Sequence, residues 1–230
     1  VKASEEMFNP YIKDGKMYGR GTLDMKSFAA VAMHSMHYVL EHKLPVKFAV
    51  ILSTDEEQGS KSTHAFLERY PELNADVVLD NDVGGDIGEI INKCKNPVFV
   101  KLFAEGKQAH GSTPWDGLDA NEMLMRTLGN LRNDYPYFDI NSGKPENTWI
   151  DTMHAAKIGG GEVSNIISGN AYALLDFRLT ENSTVAGLEE NLKKACMPGV
   201  KYEIVSVSTP VVMREDNPQI LAYKALAEKV

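Results

Sequence analysis

The sequence predicts a mixed α/β protein in which two folding patterns follow one another along the chain. Strands and helices alternate in residues 1–96, which is the order of a doubly wound parallel sheet. Residues 97–209 follow the order β-α-β-β-α-β of a ferredoxin-like α+β domain. Residues 210–230 carry one more helical pattern and are expected to begin a return to the first domain, so the ferredoxin-like domain is predicted to be an insertion.

The first half of the first domain is predicted from its apolar periodicity. Two short segments are joined by a turn at Lys13–Lys16. Apolar residues then recur at helical spacing over Met25–His42, so a helix is expected to begin directly after Asp24. The run Val46–Thr54 is mostly apolar and β-favouring, which predicts a strand buried inside the sheet.

Two further elements complete the first domain. A helix over Ser62–Tyr70 is ended by Pro71, and the sequence ADVVLD at residues 75–80 predicts a second buried strand. The domain is therefore expected to have helices on both faces of its sheet.

The second domain is predicted from four apolar strand patterns and two amphipathic helices. In chain order, these are strand 97–111, helix 117–136, strands 152–161 and 170–180, helix 184–196 and strand 201–209. The helical pattern at 217–230 is the predicted return segment.

Composition excludes several classes of partner. With 43% hydrophobic and 24% charged residues the chain is globular, and its formal net charge of -8 argues against nucleic acid and anionic membranes. No apolar run reaches the roughly 18 residues of a membrane span. Cys94 and Cys196 are too isolated for a zinc site or a disulfide framework, which favours a reducing compartment. We therefore expect a cytoplasmic protein that acts on a small molecule or peptide.

Acidic residues lie at the predicted ends of the elements of the first domain. They are Asp24, Glu56, Glu57 and Asp80. Open α/β sheets bind ligands at the carboxyl ends of their strands, and clustered carboxylates there need a cation or a proton. Carboxylates bind zinc, manganese or cobalt, and one left free of metal can take a proton from water. Taken one at a time, such acids are more often helix caps or surface residues.

Three motifs resemble the M20 family of metallopeptidases and deacylases. They are DGKMYGRGTLDMKS from Asp14, STDEEQGS from Ser53 and AHGSTPWDGLDA from Ala109. The family includes glutamate-type carboxypeptidases, dipeptidases, acetylornithine deacetylase and succinyl-diaminopimelate desuccinylase. The resemblance implies a zinc-peptidase-like catalytic domain, present in part, and an inserted domain that makes a homodimer through residues 97–209.

The resemblance also implies roles for the acidic residues. Asp24 matches the carboxylate that bridges two divalent metal ions, Glu57 a ligand of one ion, and Asp80 the acidic ligand of the other. Asp82, two residues further on, is the alternative to Asp80. The ions are expected to be zinc, with cobalt and manganese as alternatives. Glu56 matches the general base.

Three residues of the second domain match family positions that contact substrate. His110 matches the histidine that reaches across the subunit interface to polarise the substrate carbonyl, and Asn165 and Arg178 match residues that bind the substrate's polar backbone and carboxylate. The family's proline after the asparagine motif is Ser168 here.

The resemblance further implies two zinc-binding histidines, one upstream of Val1 and one beyond Val230. Neither is in this sequence, and the chain starts at Val1 rather than Met. We therefore expect a fragment of a longer enzyme, with the 230 residues inactive on their own.

The sequence as a whole predicts a metal-dependent hydrolase. It would cleave an amide bond in an N-acyl amino acid or short peptide, with a metal-activated water and Glu56 as general base. An alternative is a catalytically inactive M20-like protein that dimerises or binds a ligand. A magnesium enzyme acting on phosphates would want a glycine-rich anion loop or a basic cluster, and neither is found in the sequence.

Overall fold

The structure is a computed structural model that describes residues 4–80 and 89–229. It divides into two compact units, Val1–Glu89 and Ile90–Val230, called unit 1 and unit 2 below. Residues 210–229 belong to unit 2 by this division. The predicted division into 1–96, 97–209 and a returning segment 210–230 stays a prediction.

Unit 1 consists of one hairpin, two helices and connecting segments. Its elements are a 3-10 turn at Glu5–Phe8, strands β1 (Tyr11–Lys13) and β2 (Lys16–Tyr18), helix α1 (Lys26–Glu41), a second 3-10 turn at Glu56–Gln58 and helix α2 (Lys61–Arg69). The hairpin turn is made by Asp14 and Gly15, both at positive φ, which suits the twist of a two-residue hairpin loop. The predicted turn and both predicted helices are confirmed.

The prediction of two buried strands in unit 1 is wrong: neither segment is a strand in this structure. Residues 46–54 and 75–80 have irregular backbone, and their apolar side chains are largely exposed, as for Leu52 (64%) and Val78 (82%). A parallel strand needs neighbours on its edges and helices on its faces. Within residues 4–80 the only hydrogen-bonded strands are β1 and β2, so these segments lack such neighbours.

Unit 2 has the predicted ferredoxin-like order. It contains β3 (Lys93–Cys94), β4 (Asn96–Glu105), a 3-10 turn at Pro114–Asp116, α3 (Ala120–Leu131), β5 (Thr152–Gly160), β6 (Asn170–Leu179), α4 (Val185–Ala195), β7 (Val200–Val207), β8 (Val211–Val212) and α5 (Pro218–Ala227). The four long strands form an antiparallel sheet in the order β5-β6-β4-β7. No helix among the described residues is long and apolar enough to cross a membrane.

The hydrophobic core lies in unit 2, between one face of this sheet and helices α3 and α4. Along β4 every second side chain from Val98 to Ala104 is buried, and Leu124 on α3 and Leu188 on α4 pack into the same cluster. Each fully buried Leu or Val contributes about 1.5–3 kcal/mol relative to an exposed one. No described residue of unit 1 reaches the same degree of burial. Unit 2 is therefore the part of the chain with its own core.

The chain enters and leaves the four-stranded sheet at one place. Before β4, Lys93 and Cys94 of β3 pair antiparallel with Val212 and Val211 of β8, which follows β7. The two connections thus run side by side, as the predicted insertion would require.

Candidate active site

The acidic turn of unit 1 is held by Asp55, the first of its three carboxylates. The Asp55 carboxylate accepts a hydrogen bond from the Ser62 amide at 2.9 Å and a short one from the Ser62 hydroxyl. The Ser60 amide donates to the Asp55 carbonyl at 3.0 Å, and Gly59 adopts a left-handed conformation (φ 90°) that turns the chain into α2. Asp55 therefore organises the turn that carries Glu56 and Glu57.

The predicted metal ligands occupy three separate segments of unit 1. Asp24 is exposed and lies two residues before α1, Glu57 is exposed on the 3-10 turn, and Asp80 is exposed at the end of an irregular segment. Among residues 4–80 and 89–229, no three His, Cys, Asp or Glu side chains form a group that could hold a metal ion. The described residues therefore do not fit a metal site by themselves, and the ligand roles stay a prediction.

The alternative ligand Asp82 lies outside the described residues. The choice between Asp80 and Asp82 stays open.

In unit 2, the ladder between β4 and β6 continues beyond both strands and brings His110 and Asn165 together. The Gly106 amide donates to Gly169 O at 2.9 Å, the Ile167 amide to Ala109 O at 3.0 Å, and the Gly111 amide to Asn165 O at 2.7 Å. His110 forms a bridge with Ile166. This two-stranded extension, residues 106–111 against 165–169, is called the ribbon below. It places both predicted substrate contacts, each exposed, at one end of the sheet.

Ser168 fixes the base of the ribbon. It is buried, its hydroxyl bonds the Asn170 carbonyl, and its own carbonyl accepts from the Ala120 amide at 2.9 Å, at the start of α3. The serine that stands at the family's proline position thus has a structural role of its own.

The hydrogen bonds of His110 indicate which ring nitrogen carries the hydrogen in the neutral ring. The Ser112 amide, which can only donate, approaches His110 Nδ1 at 3.2 Å, and the Ser112 hydroxyl lies 2.7 Å from the same nitrogen. Nδ1 is therefore an acceptor, and in the neutral ring the hydrogen is on Nε2. An Nε2–H group on an exposed side chain suits a substrate carbonyl oxygen.

Arg178 lies at the opposite end of β6 and is held by Asp176. Arg178 Nε donates to Asp176 Oδ1 at 2.8 Å and Nη2 to Oδ2 at 3.1 Å. In the sheet, Arg178 pairs with Pro97 on β4 and Thr152 on β5, next to the place where the chain enters the unit.

The length of β6 separates the two groups of predicted substrate contacts. Eight residue steps lie between Asn170, at the base of the ribbon, and Arg178 (178 minus 170). At roughly 3.3 Å per residue this is about 26 Å, and the ribbon adds to it. Within one copy of unit 2, Arg178 and His110 are thus too far apart to touch one small substrate.

The cavity beside the ribbon is small for a substrate pocket. It measures about 50 Å³ and is lined by Gln108, Glu162, Ile166 and Ser168 among others. Small-molecule sites usually measure roughly 300–1,000 Å³. The ribbon therefore presents its side chains on a surface.

Three polar residues that support the site were missed by sequence reasoning. They are Ser62, Ser112 and Asp176. The spacing of two residues to Arg178 could have indicated Asp176, because residues i and i+2 of an extended chain share a face, whereas Ser112 lies in a turn after His110. Ser62 is seven residues from Asp55, and no local pattern links them.

The sequence matches peptidase family M20/M25/M40 over residues 1–230. The chain belongs to this family. The predicted resemblance is confirmed, and the family consists of hydrolases of the peptidase and desuccinylase type.

Curated relatives match most of this chain. An uncharacterized metallohydrolase of Methanocaldococcus jannaschii is 30% identical over 198 residues, which is 81% of this chain and 48% of the relative. A succinyl-diaminopimelate desuccinylase of Paraburkholderia xenovorans is 28% identical over 191 residues, 79% of this chain and 49% of the relative. This M20 chain spans about half the length of the curated relatives it matches.

Solved structures match the fold. The aminopeptidase PepT of Bacillus cereus superposes with a TM-score of 0.73 over 96% of this chain and 59% of its own, at 21% identity. The M20 family metallo-carboxypeptidase Sso-CP2 of Sulfolobus solfataricus gives 0.74 over 95% of this chain and 63% of its own, at 19% identity. The predicted fold class, a partial zinc-peptidase-like domain with a ferredoxin-like domain, is confirmed.

The Asp55 turn generates a pH prediction. The bonds from the Ser62 hydroxyl and then the Ser62 amide lower the pKa of Asp55 in the folded chain. A lowered pKa means that the turn gains stability above the unfolded pKa and loses it as pH falls through the folded one. By NMR titration, Ser62→Ala should raise the Asp55 midpoint towards that of a free aspartate. Ser60→Ala, whose hydroxyl does not bond Asp55, should leave it unchanged, and an equal rise in both variants would contradict the role of Ser62.

Proposed function

We propose that the complete protein hydrolyses an amide bond in an N-acyl amino acid or a short peptide. Membership of the M20 family supports hydrolysis, and the observation that carries the proposal is the ribbon. It places His110, an exposed histidine whose neutral ring carries its hydrogen on Nε2, and Asn165 on the two neighbouring strands at one end of the sheet. Such groups suit the carbonyl and amide of a peptide-like substrate.

Glu56 is the proposed general base. It lies on the turn organised by Asp55, beside Glu57, whose proposed role is metal binding. Adjacent side chains point in different directions, so the two can serve different partners. Glu56 takes the proton of the attacking water and returns it to the leaving amine. A divalent ion, when bound, would supply Lewis-acid activation of that water.

Arg178 is the proposed clamp for a substrate carboxylate. Its guanidinium presents parallel N–H groups that match the two oxygens of a carboxylate. His110 and Asn165 take the other end of the substrate, where the scissile carbonyl becomes an oxyanion. About 26 Å of strand separates them from Arg178, which supports the proposal that they come from a second copy of the chain.

We therefore propose a two-fold homodimer formed through residues 97–209. The four-stranded sheet leaves the outer edges of β5 and β7 without a described partner strand. Exposed edges are ready to pair with another copy, and a two-fold contact satisfies both copies at once. In such a dimer His110 of one chain works in the active site of the other.

A second candidate is a family member without catalysis that dimerises or binds a ligand. The observation that favours it is that, in the described part of the chain, Asp24, Glu57 and Asp80 do not form a metal-binding group. Kinetics and metal analysis of the complete protein separate the two candidates.

Substitutions of Glu56 and Glu57 are expected to have different effects, the first on kcat and the second on metal content. In the complete protein, Glu56→Gln should lower kcat by about two to four orders of magnitude while metal content and KM stay near the wild type, because only the base is lost. Glu57→Ala should lose bound metal. Metal analysis by mass spectrometry and steady-state kinetics give both readouts, and equal metal loss in both variants would contradict the division of roles.

A mixed dimer tests which subunit supplies His110 to each active site. Neither Glu56→Ala nor His110→Ala should be active alone, but a heterodimer of the two should contain one working site if His110 acts across the interface. The intact Glu56 of one subunit then meets the intact His110 of the other. Activity is measured after exchange of differently tagged subunits. Confirmed heterodimers without recovered activity would refute action across the interface.

A further inference from the structure

The ion pair between Asp176 and Arg178 is unequally exposed. Both residues are on β6, two positions apart, so they share the sheet face that is not covered by α3 and α4. The Asp176 side chain is 11% exposed and the Arg178 side chain 47%. The carboxylate is thus anchored against the sheet, and the guanidinium is the half that is presented to the surroundings.

The geometry of the pair leaves one edge of the guanidinium available. Asp176 occupies the edge formed by Nε and Nη2. A guanidinium has five N–H donors, so two on Nη1 and one on Nη2 remain. Within residues 4–80 and 89–229, Nη1 donates to no protein acceptor. The Nη1–Nη2 edge can therefore take a second carboxylate in a bidentate manner while Asp176 stays bound.

Neighbouring strands limit where the pair can move. Phe99 on β4 and His154 on β5 are both opposite Asp176 in the sheet register, one on each side. The Arg178 guanidinium carbon lies 6.0 Å from the centre of the Phe99 ring. Phe99 and His154 therefore flank Asp176 on the two neighbouring strands, and the Phe99 ring lies beside the arginine that Asp176 binds.

Stability alone gives little reason for this arrangement. Buried ion pairs often add no net stability over apolar side chains of similar size, because both charges must be removed from water. Fixing a long side chain before a ligand arrives reduces what the ligand must order on binding.

We infer that Asp176 is a positioning residue, which aims the free edge of Arg178 at the carboxylate of the substrate. The inference rests on the proposed function, in which Arg178 binds that carboxylate. Asp176 itself does not touch the substrate.

The test compares two substrates that differ only in the group that Arg178 would bind. They are an N-acetyl amino acid that the complete protein cleaves and its α-carboxamide, and the readout is the ratio of their kcat/KM values. In Asp176→Asn, an NH2 group replaces one acceptor oxygen and opposes the N–H groups of Arg178. The kcat/KM of the free acid divided by that of the carboxamide should fall about tenfold or more, as expected for a charged hydrogen-bond pair. The kcat/KM of the carboxamide itself should change little.

Controls separate positioning from a structural role. Glu122→Gln removes the carboxylate of another arginine pair, with Arg126 on α3, and should leave the ratio unchanged. In an Arg178→Ala background, Asp176→Asn should lower the ratio no further. If Asp176→Asn does not fold, Asp176→Glu keeps the charge but displaces the anchor by one methylene, and it too should lower the ratio.

The outcomes distinguish the inference from the function on which it rests. An equal loss for both substrates in Asp176→Asn, or a wild-type ratio in a folded Asp176 variant, would overturn the positioning role. If Arg178→Ala itself leaves the ratio unchanged, the proposed carboxylate clamp fails, and with it the basis of the inference.

Discussion

The antiparallel ladder between β4 and β6 is the constraint on which the arrangement of unit 2 depends. Its ten residue pairs run without a register shift from Asn96 opposite Leu179 to Glu105 opposite Asn170. One face of both strands carries the core, and the ribbon extends the same ladder to His110 and Asn165. Because the ladder is rigid and continuous, it also keeps Arg178 at a fixed distance from them. A site that uses all three must therefore draw on two chains.

The two units differ in how far local sequence can specify structure. In unit 2, apolar alternation, helix periodicity and turns agree, and all six predicted elements from 97 to 209 form with a shared core. In unit 1, the helices α1 and α2 form as predicted, because helical hydrogen bonds are local. The predicted strands at 46–54 and 75–80 depend on partners distant in sequence, and their apolar composition alone does not make them strands.

Short sequence patterns propose residues for the candidate site but do not give their geometry. His110, Asn165 and Arg178 each lie in a short pattern that resembles a family motif, and their roles stay predictions. Their distribution over the two ends of β6 follows from strand register, which periodicity does not fix between distant segments. The supporting contacts of Ser112 and Asp176 depend on side-chain direction. The predicted acids of unit 1 have the right chemistry for a metal, but their mutual placement is a property of the tertiary fold.

The most direct test is a crystal structure of the complete protein with an uncleavable N-acyl amino acid analogue, such as a phosphonate that replaces the scissile amide. We expect the ligand carboxylate on Arg178 of one chain and the phosphonate oxygens within hydrogen-bond distance of His110 Nε2 from the other chain. A ligand that contacts Arg178 and His110 of the same chain would contradict the account, because the β4–β6 ladder could then not have the continuous register described above.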